Sequence, residues 1–117
     1  MGVVYQLTPQ PNGSWTENIL HSFGISDGAY AWGGIAIDSS GNLYGTTQAG
    51  AASSAGLVFE LKPASDGNWT ENILHEFSGS DGNSPYAGVV FDRSGNLYGT
   101  TFSGGAYNAG TIFEVHP

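Results

Sequence analysis

The chain repeats itself after 54 residues, and this repeat constrains the fold more than any other feature. Residues 2–55 and 56–109 align without a gap, and 29 of the 54 aligned pairs are identical. A third copy begins at Gly110 and runs to Pro117. Segments copied in this way fold as similar units that pack on one another. We therefore expect a single domain over residues 1–117, with two units and the first strand of a third.

Each copy has the pattern of β-structure throughout. Short runs of alternating apolar and polar residues are separated by glycine and Asp-Gly turn signals. No window shows helical apolar spacing without glycine interruptions. Four short antiparallel strands in about 50 residues are typical of a β-propeller blade. We expect an all-β fold of two four-stranded antiparallel blades plus one extra strand, with strands at Val3–Thr8, Trp15–Phe23, Gly34–Asp38, Asn42–Thr47, Leu57–Lys62, Trp69–Phe77, Gly88–Asp92, Asn96–Thr101 and Thr111–His116.

The polarity of the strands predicts their order within a blade. Gly34–Asp38 and Gly88–Asp92 are apolar on both faces, which suits a crowded inner strand. Trp15–Phe23 carries polar residues and suits the outer edge. One complete blade is therefore expected between Gly34 and about Phe77, with strands from both copies.

Two blades alone leave two apolar faces open, which favours association. Propeller rings have 4–8 blades. We predict a cyclic homotrimer or homotetramer with six or eight blades, in which each shared blade takes three strands from one chain and a fourth from the next. Val3–Thr8 and Thr111–His116 are copies of one strand, and the sequence leaves open which of them fills the seam. An excised or engineered fragment of a longer array is an equally consistent interpretation, since Met1-Gly2 begins inside a repeat without a signal peptide.

The charge balance excludes several classes of partner. Lys62 and Arg93 are the only strong cations beside ten carboxylates, giving a formal net charge of −8. Such a surface cannot neutralise nucleic-acid phosphates, and it disfavours anionic membranes. No apolar run approaches the roughly 18 residues needed to span a bilayer, so membrane insertion is not expected. The chain has no cysteine, and therefore no disulfide or thiolate metal site.

Distinctive motifs recur in both copies. They lie at Val58, Phe59, Leu61, Pro63, Trp69–Phe77, Ser80–Gly82 and Asp92–Thr101, with Trp15–Phe23, Ser26–Gly28 and Asp38–Thr47 in the first copy. These motifs resemble the Gloeobacter–Verrucomicrobia (GloVer) repeat, over essentially the whole chain. The resemblance implies a tandem array with a propeller-like fold in bacterial proteins that are exported or anchored at the cell surface, and it implies no enzymatic activity.

No catalytic site is expected, because the repeat copies its polar residues into both units. His21 and His75 are equivalent positions and are interpreted as polar residues of an edge strand. Clustered oxygens suit calcium, for which the candidate ligands are Asp27, Asp81 and Asn83. Calcium is the only cofactor considered.

Aromatic residues in the variable loops are candidates for binding a sugar face. They are Tyr30, Trp32, Tyr86 and Tyr107. The sequence thus favours a non-catalytic interaction module that assembles with itself. The alternatives are a secreted carbohydrate-binding module and a propeller hydrolase or lyase.

Overall fold

The computed structural model describes all residues from Met1 to Pro117. It is all-β, with nine strands and no helix, and therefore no helix that could span a membrane. Seven strands begin and end within one residue of the bounds expected from the sequence. The other two shrink to two residues each because glycines and turns flank them. The strands are β1 (Val3–Pro9), β2 (Trp15–Ser22), β3 (Ala36–Ile37), β4 (Leu43–Thr47), β5 (Leu57–Pro63), β6 (Trp69–Glu76), β7 (Val90–Phe91), β8 (Leu97–Thr100) and β9 (Ile112–Val115).

The strands form three antiparallel sheets whose bounds do not coincide with the repeats. β1 and β2 pair with each other, β3-β4-β5-β6 form a four-stranded sheet, and β7-β8-β9 form a three-stranded one. The middle sheet takes two strands from each copy, as expected between Gly34 and Phe77. The expectation of two four-stranded sheets is met only once. The first sheet contains only β1 and β2, and the third contains only β7, β8 and β9.

The four-stranded sheet lies between the other two and is buried on both faces at β5. Its front face, defined by Leu57, Phe59 and Leu61, packs on Val4 and Phe23 of the first sheet. Its back face, defined by Tyr44 and Val58, packs on the third sheet, where Leu97 is fully buried and Phe113 and Val115 are partly buried. Because side chains alternate along β5, this strand packs against the first sheet on one face and against the third sheet on the other.

An Asp-x-Ser-Gly turn closes the two short hairpins, as the sequence predicts. In the second copy, Asp92 Oδ1 accepts hydrogen bonds from the backbone amides of Ser94 and Asn96 at 2.7 and 2.9 Å. Gly95 follows with φ of 85°, a conformation that glycine adopts without strain. The Asn96 amide hydrogen bond is the main cause that lowers the pKa of Asp92 below its ordinary value of 3.8.

Acid is expected to loosen this turn. Because the folded state lowers the pKa of Asp92, its contribution to stability is complete above pH 3.8 and is lost as pH falls through the folded pKa. Side-chain NMR should therefore show Asp92 titrating below 3.8. In Asp92→Asn the amide shifts of Ser94 and Asn96 should lose most of their acid dependence. An Asp92 midpoint at or above 3.8 would contradict the assignment.

A buried tyrosine bridges two carboxylates within the four-stranded sheet. The Tyr44 hydroxyl lies 2.7 Å from Glu60 Oε1 and 3.0 Å from Asp38 Oδ2. Burial and the hydrogen bond to Glu60 raise the pKa of Tyr44 well above its ordinary value. The equivalent Tyr98 hydroxyl contacts Asp92 and Glu114, and its pKa rises to about 12. The first of these networks is buried and the second is not.

Tyr44→Phe should lower the free energy of unfolding by about 1–3 kcal/mol, because it removes the hydrogen-bond donor of Oε1 in the buried Glu60, while Asn72 still donates to Oε2. Tyr98→Phe removes the same hydroxyl from the exposed copy and should cost clearly less. Urea unfolding of both variants in dilute, monomeric protein at one concentration measures the difference. Equal losses would show that burial of the Tyr44 network has no energetic consequence.

Candidate functional site

An apolar cleft opens between the first and second sheets. The first sheet has only two strands, so nothing covers the front face of the four-stranded sheet beyond them. The cleft has a volume of about 350 Å³. We call it the acceptor cleft, and it is lined by Val4, Tyr5, Gln6, Leu20, Ile35, Ile37, Gly41, Leu43 and Trp69.

The three-stranded sheet ends the chain with an uncovered apolar face. Val90 is 66% exposed and Ile112 is 83% exposed, on the side away from the four-stranded sheet. We call the back face of β7 and β8, to which Val90 belongs, the donor end. Its sheet also lacks a fourth strand beyond β9.

The residues exposed at the chain's ends occupy positions that are buried in the middle sheet. Tyr5 and Leu7 are exposed, whereas the equivalent Phe59 and Leu61 are fully buried. Ile112 likewise corresponds to the buried Val58. The repeat therefore presents at both ends the side chains that elsewhere form its core.

Glycines at the inner strands allow the two copies to approach each other closely. A Cβ placed on Gly33 would lie 2.6 Å from the backbone of Ala87, and one on Gly88 would lie 2.5 Å from the carbonyl oxygen of Gly34. Only residues without a side chain allow this approach. Gly34 is the equivalent of Gly88 in the first copy, but a Cβ placed on it would meet nothing within 4 Å. In the single chain, Gly34 therefore has no neighbour like the one that Gly88 has in Gly34.

A histidine and two carboxylates meet between the outer strands of the first and second sheets. His21 lies on β2, Glu71 on β6, and Asp27 in the loop that follows β2. His21 Nε2 is 3.2 Å from Asp27 Oδ2 and 3.5 Å from Glu71 Oε2. The ring of His21 packs edge-on against Phe23 at 4.7 Å, which fixes its orientation. We call these three residues the His-Asp-Glu cluster.

Two polar atoms of this cluster are buried without a hydrogen-bond partner. They are His21 Nε2 and Glu71 Oε1. The Glu71 side chain is only 10% exposed. Burial, and then the charge of Asp27, raise the pKa of Glu71 to about 7. The ionised form of Glu71 is therefore disfavoured at this place, because its charge is poorly solvated and lies near that of Asp27.

The second copy contains the same histidine and aspartate without the glutamate. His75 Nε2 lies 2.8 Å from Asp81 Oδ2 and forms a hydrogen bond with it. No carboxylate lies beside His75 in the way that Glu71 lies beside His21. By the repeat, the position equivalent to Glu71 is Glu17, on β2.

The three residues predicted to bind calcium make different contacts. Asp27 belongs to the His-Asp-Glu cluster. Asp81 Oδ1 accepts hydrogen bonds from the amide and hydroxyl of Ser78, while Oδ2 contacts His75. Asn83 Oδ1 accepts a hydrogen bond from Ser84, and its backbone pairs with Ser103. Calcium binding stays a prediction for these three residues.

The four loop aromatics are exposed and do not stack on one another. Tyr86 packs edge-on against Phe102 at 5.5 Å, and Tyr107 is 93% exposed. Tyr30 has a φ of 60° and, like Trp32, is exposed. A sugar site made by these residues stays a prediction.

Sequence reasoning missed Glu71 as a partner of His21. The sequence predicts His21 to be a polar residue of an edge strand and places Glu71 only within the strand Trp69–Phe77. The available signal was the repeat itself: if outer strands of successive sheets face each other, Glu71 of one unit must approach His21 of the unit before.

Comparison with known proteins identifies the repeat but no individual relative. No curated protein and no solved structure matched the chain. The family model described as the Gloeobacter/Verrucomicrobia repeat matches residues 1–117. That match extends over both copies and the partial third one. The chain therefore belongs to the Gloeobacter/Verrucomicrobia repeat family.

Proposed function

We propose that the chain is a non-catalytic interaction module whose partner is a second copy of itself. The donor end of one copy enters the acceptor cleft of the next, so that each seam builds one four-stranded blade from two chains. Three or four copies then close a propeller of six or eight blades. Family resemblance alone suggests that the parent protein is exported or surface-anchored.

The observation that carries this proposal is the equivalence of exposed and buried positions. The acceptor cleft lies where the two inner strands of the first sheet are absent, and β7 and β8 are copies of such inner strands. The contact is head-to-tail, because the donor end and the acceptor cleft are different surfaces. Head-to-tail contacts produce rings when the rotation between copies closes.

The shape of the isolated chain supports the same conclusion. Only 24 of 117 residues are buried, which leaves much apolar surface open. The radius of gyration is 14.8 Å. A compact domain of this length would have about 13 Å. A second copy would cover the surface that this open arrangement exposes.

The lengths of the strand pairings favour one of the two copies of the duplicated strand for the seam. β1 pairs with β2 along seven residues, whereas β9 pairs with β8 along four. If β9 is released and the β1-β2 hairpin is kept, only the shorter of the two strand pairings is broken. We therefore place β1 of the next copy beside β8 at the seam, with β9 displaced.

An engineered disulfide tests this pairing. Tyr98 pairs with Glu114 within the chain, and by the repeat Gln6 is the residue equivalent to Glu114. In the double variant Tyr98→Cys, Gln6→Cys, opposed Cβ atoms at the seam come within disulfide range. The chain has no other cysteine, so oxidation should give covalent trimers or tetramers on a non-reducing gel.

The matched control is Tyr98→Cys, Glu114→Cys, which reports on β9 staying in place. We expect inter-chain products from the first pair and little intra-chain disulfide from the second. Monomer bands with a complete intra-chain disulfide in the control would show that β9 keeps its place and would contradict the proposed seam.

A further inference from the structure

We propose that the His-Asp-Glu cluster is a binding site for a divalent transition-metal ion, formed between the outer strands of successive sheets. Resting on the proposed function, we extend this to the seam, where His75 and Asp81 of one copy would meet Glu17 of the next and complete a second site.

The geometry of the cluster suits such an ion. A tetrahedral Zn²⁺ with bonds of about 2.1 Å separates its ligand atoms by about 3.4 Å. The two distances from His21 Nε2 to the carboxylate oxygens, 3.2 and 3.5 Å, bracket that value. One oxygen or nitrogen of each residue lies within 4.8 Å of the others. A single ion could therefore contact all three side chains.

The orphaned atoms point to a ligand rather than to a closed hydrogen-bond network. Buried polar atoms normally find partners, and the exceptions need a cause. Here Glu71 is nine-tenths buried with an unpartnered Oε1, and His21 Nε2 makes no hydrogen bond although two carboxylates lie near it. A cation between them would compensate the poorly solvated carboxylates and use the free imidazole nitrogen.

The second copy provides an internal comparison. Without a glutamate, His75 Nε2 and Asp81 Oδ2 form an ordinary hydrogen bond at 2.8 Å. With Glu71 present, the corresponding atoms of His21 and Asp27 are 3.2 Å apart. The histidine and the aspartate are therefore farther apart in the copy in which the glutamate is present.

The ligand set selects the class of metal. Imidazole nitrogen suits zinc, nickel, copper and iron, whereas calcium prefers six to eight oxygens. One imidazole with two carboxylates therefore favours a transition metal at Asp27 over the calcium predicted for Asp27, Asp81 and Asn83. Three protein ligands also leave a coordination position for water.

The test is calorimetric titration with Zn²⁺ at pH 7.5, on wild-type protein and on Val90→Glu, a variant designed to stay monomeric. We expect one Zn²⁺ per chain in Val90→Glu and two per chain in the assembled wild type. In the Val90→Glu background, Glu71→Gln should weaken binding by at least about 10-fold, a loss that even an outer-sphere change can produce. The control His116→Ala removes an exposed histidine outside the cluster and should bind normally.

The outcomes separate the two proposals. No Zn²⁺ uptake by either protein, or unchanged uptake by Glu71→Gln, overturns the metal site whatever the native mass shows. One Zn²⁺ per chain in an assembled wild type keeps the internal site and overturns the seam site. One per chain in a monomeric wild type supports the internal site and contradicts the ring. Circular dichroism checks that Glu71→Gln is folded, and Co²⁺ absorption bands that change in His21→Gln report on ligation directly.

Discussion

A glutamate at Val90 or at Ile37 is expected to leave the protein folded but to abolish its assembly. Val90 lies on the donor end and Ile37 lines the acceptor cleft, and they are 66% and 64% exposed in the single chain. A charge there is solvated before association and buried without a partner after it. Such burial costs several kcal/mol, about enough to abolish a ring that needs every seam. Sedimentation velocity should show monomers for both variants.

The mixture of the two variants is more informative than either alone. The Val90→Glu chain retains its acceptor cleft, and the Ile37→Glu chain retains its donor end. If contacts run head-to-tail, an equimolar mixture should contain heterodimers with one intact seam and no larger ring. A symmetric contact between identical surfaces would instead leave the mixture monomeric.

Circular dichroism of each variant serves as the folding control for this experiment, and Ser39→Glu, a charge added in an exposed turn, serves as the charge control. Ser39→Glu should assemble like the wild type. Full assembly of Val90→Glu would place the contact elsewhere on the molecule and would exclude the donor end from it.

Gly88→Val should destabilise the single chain, whereas Gly34→Val should leave it folded but prevent assembly. A Cβ at Gly88 would lie 2.5 Å from the Gly34 carbonyl within the same chain, so Gly88→Val forces the two copies apart. Overpacking of this kind costs about 1–3 kcal/mol. At Gly34 the single chain has open space, so Gly34→Val should fold normally. In the ring, however, Gly34 approaches Gly88 of the preceding copy, and the valine should block closure.

Thermal unfolding and native mass measure the two effects separately. At the seam, Ala87 takes the place that Gly33 has in the contact within the chain. Its methyl group requires a somewhat wider seam, so the larger valine is preferred to alanine at Gly34. An assembled Gly34→Val protein, or a Gly88→Val protein with unchanged stability, would contradict the equivalence between the internal contact and the seam.

The sequence was sufficient to predict the strands and the sheet that joins the two copies. Alternation along Leu57–Lys62 determines which side chains face each neighbouring sheet, and the Asp92–Gly95 turn contains its own hydrogen-bond acceptor and its own glycine. These are local properties. The apolar character of Gly34–Asp38 on both faces also indicated correctly that this strand begins the four-stranded sheet.

The His-Asp-Glu cluster could not be predicted in the same way. Glu71 and His21 are 50 positions apart and belong to different sheets, so their contact depends on how one sheet is rotated over the next. No local pattern specifies that rotation. The brevity of β3 and β7 was missed for a related reason, because the preceding glycines approach the neighbouring copy instead of extending the strand.

Native mass spectrometry of the unmodified chain shows whether it forms a ring. We expect a single dominant species at three or four times 12.1 kDa at micromolar concentration. A folded monomer or dimer that persists at that concentration would contradict it, because the donor end and the acceptor cleft would then be stable without each other.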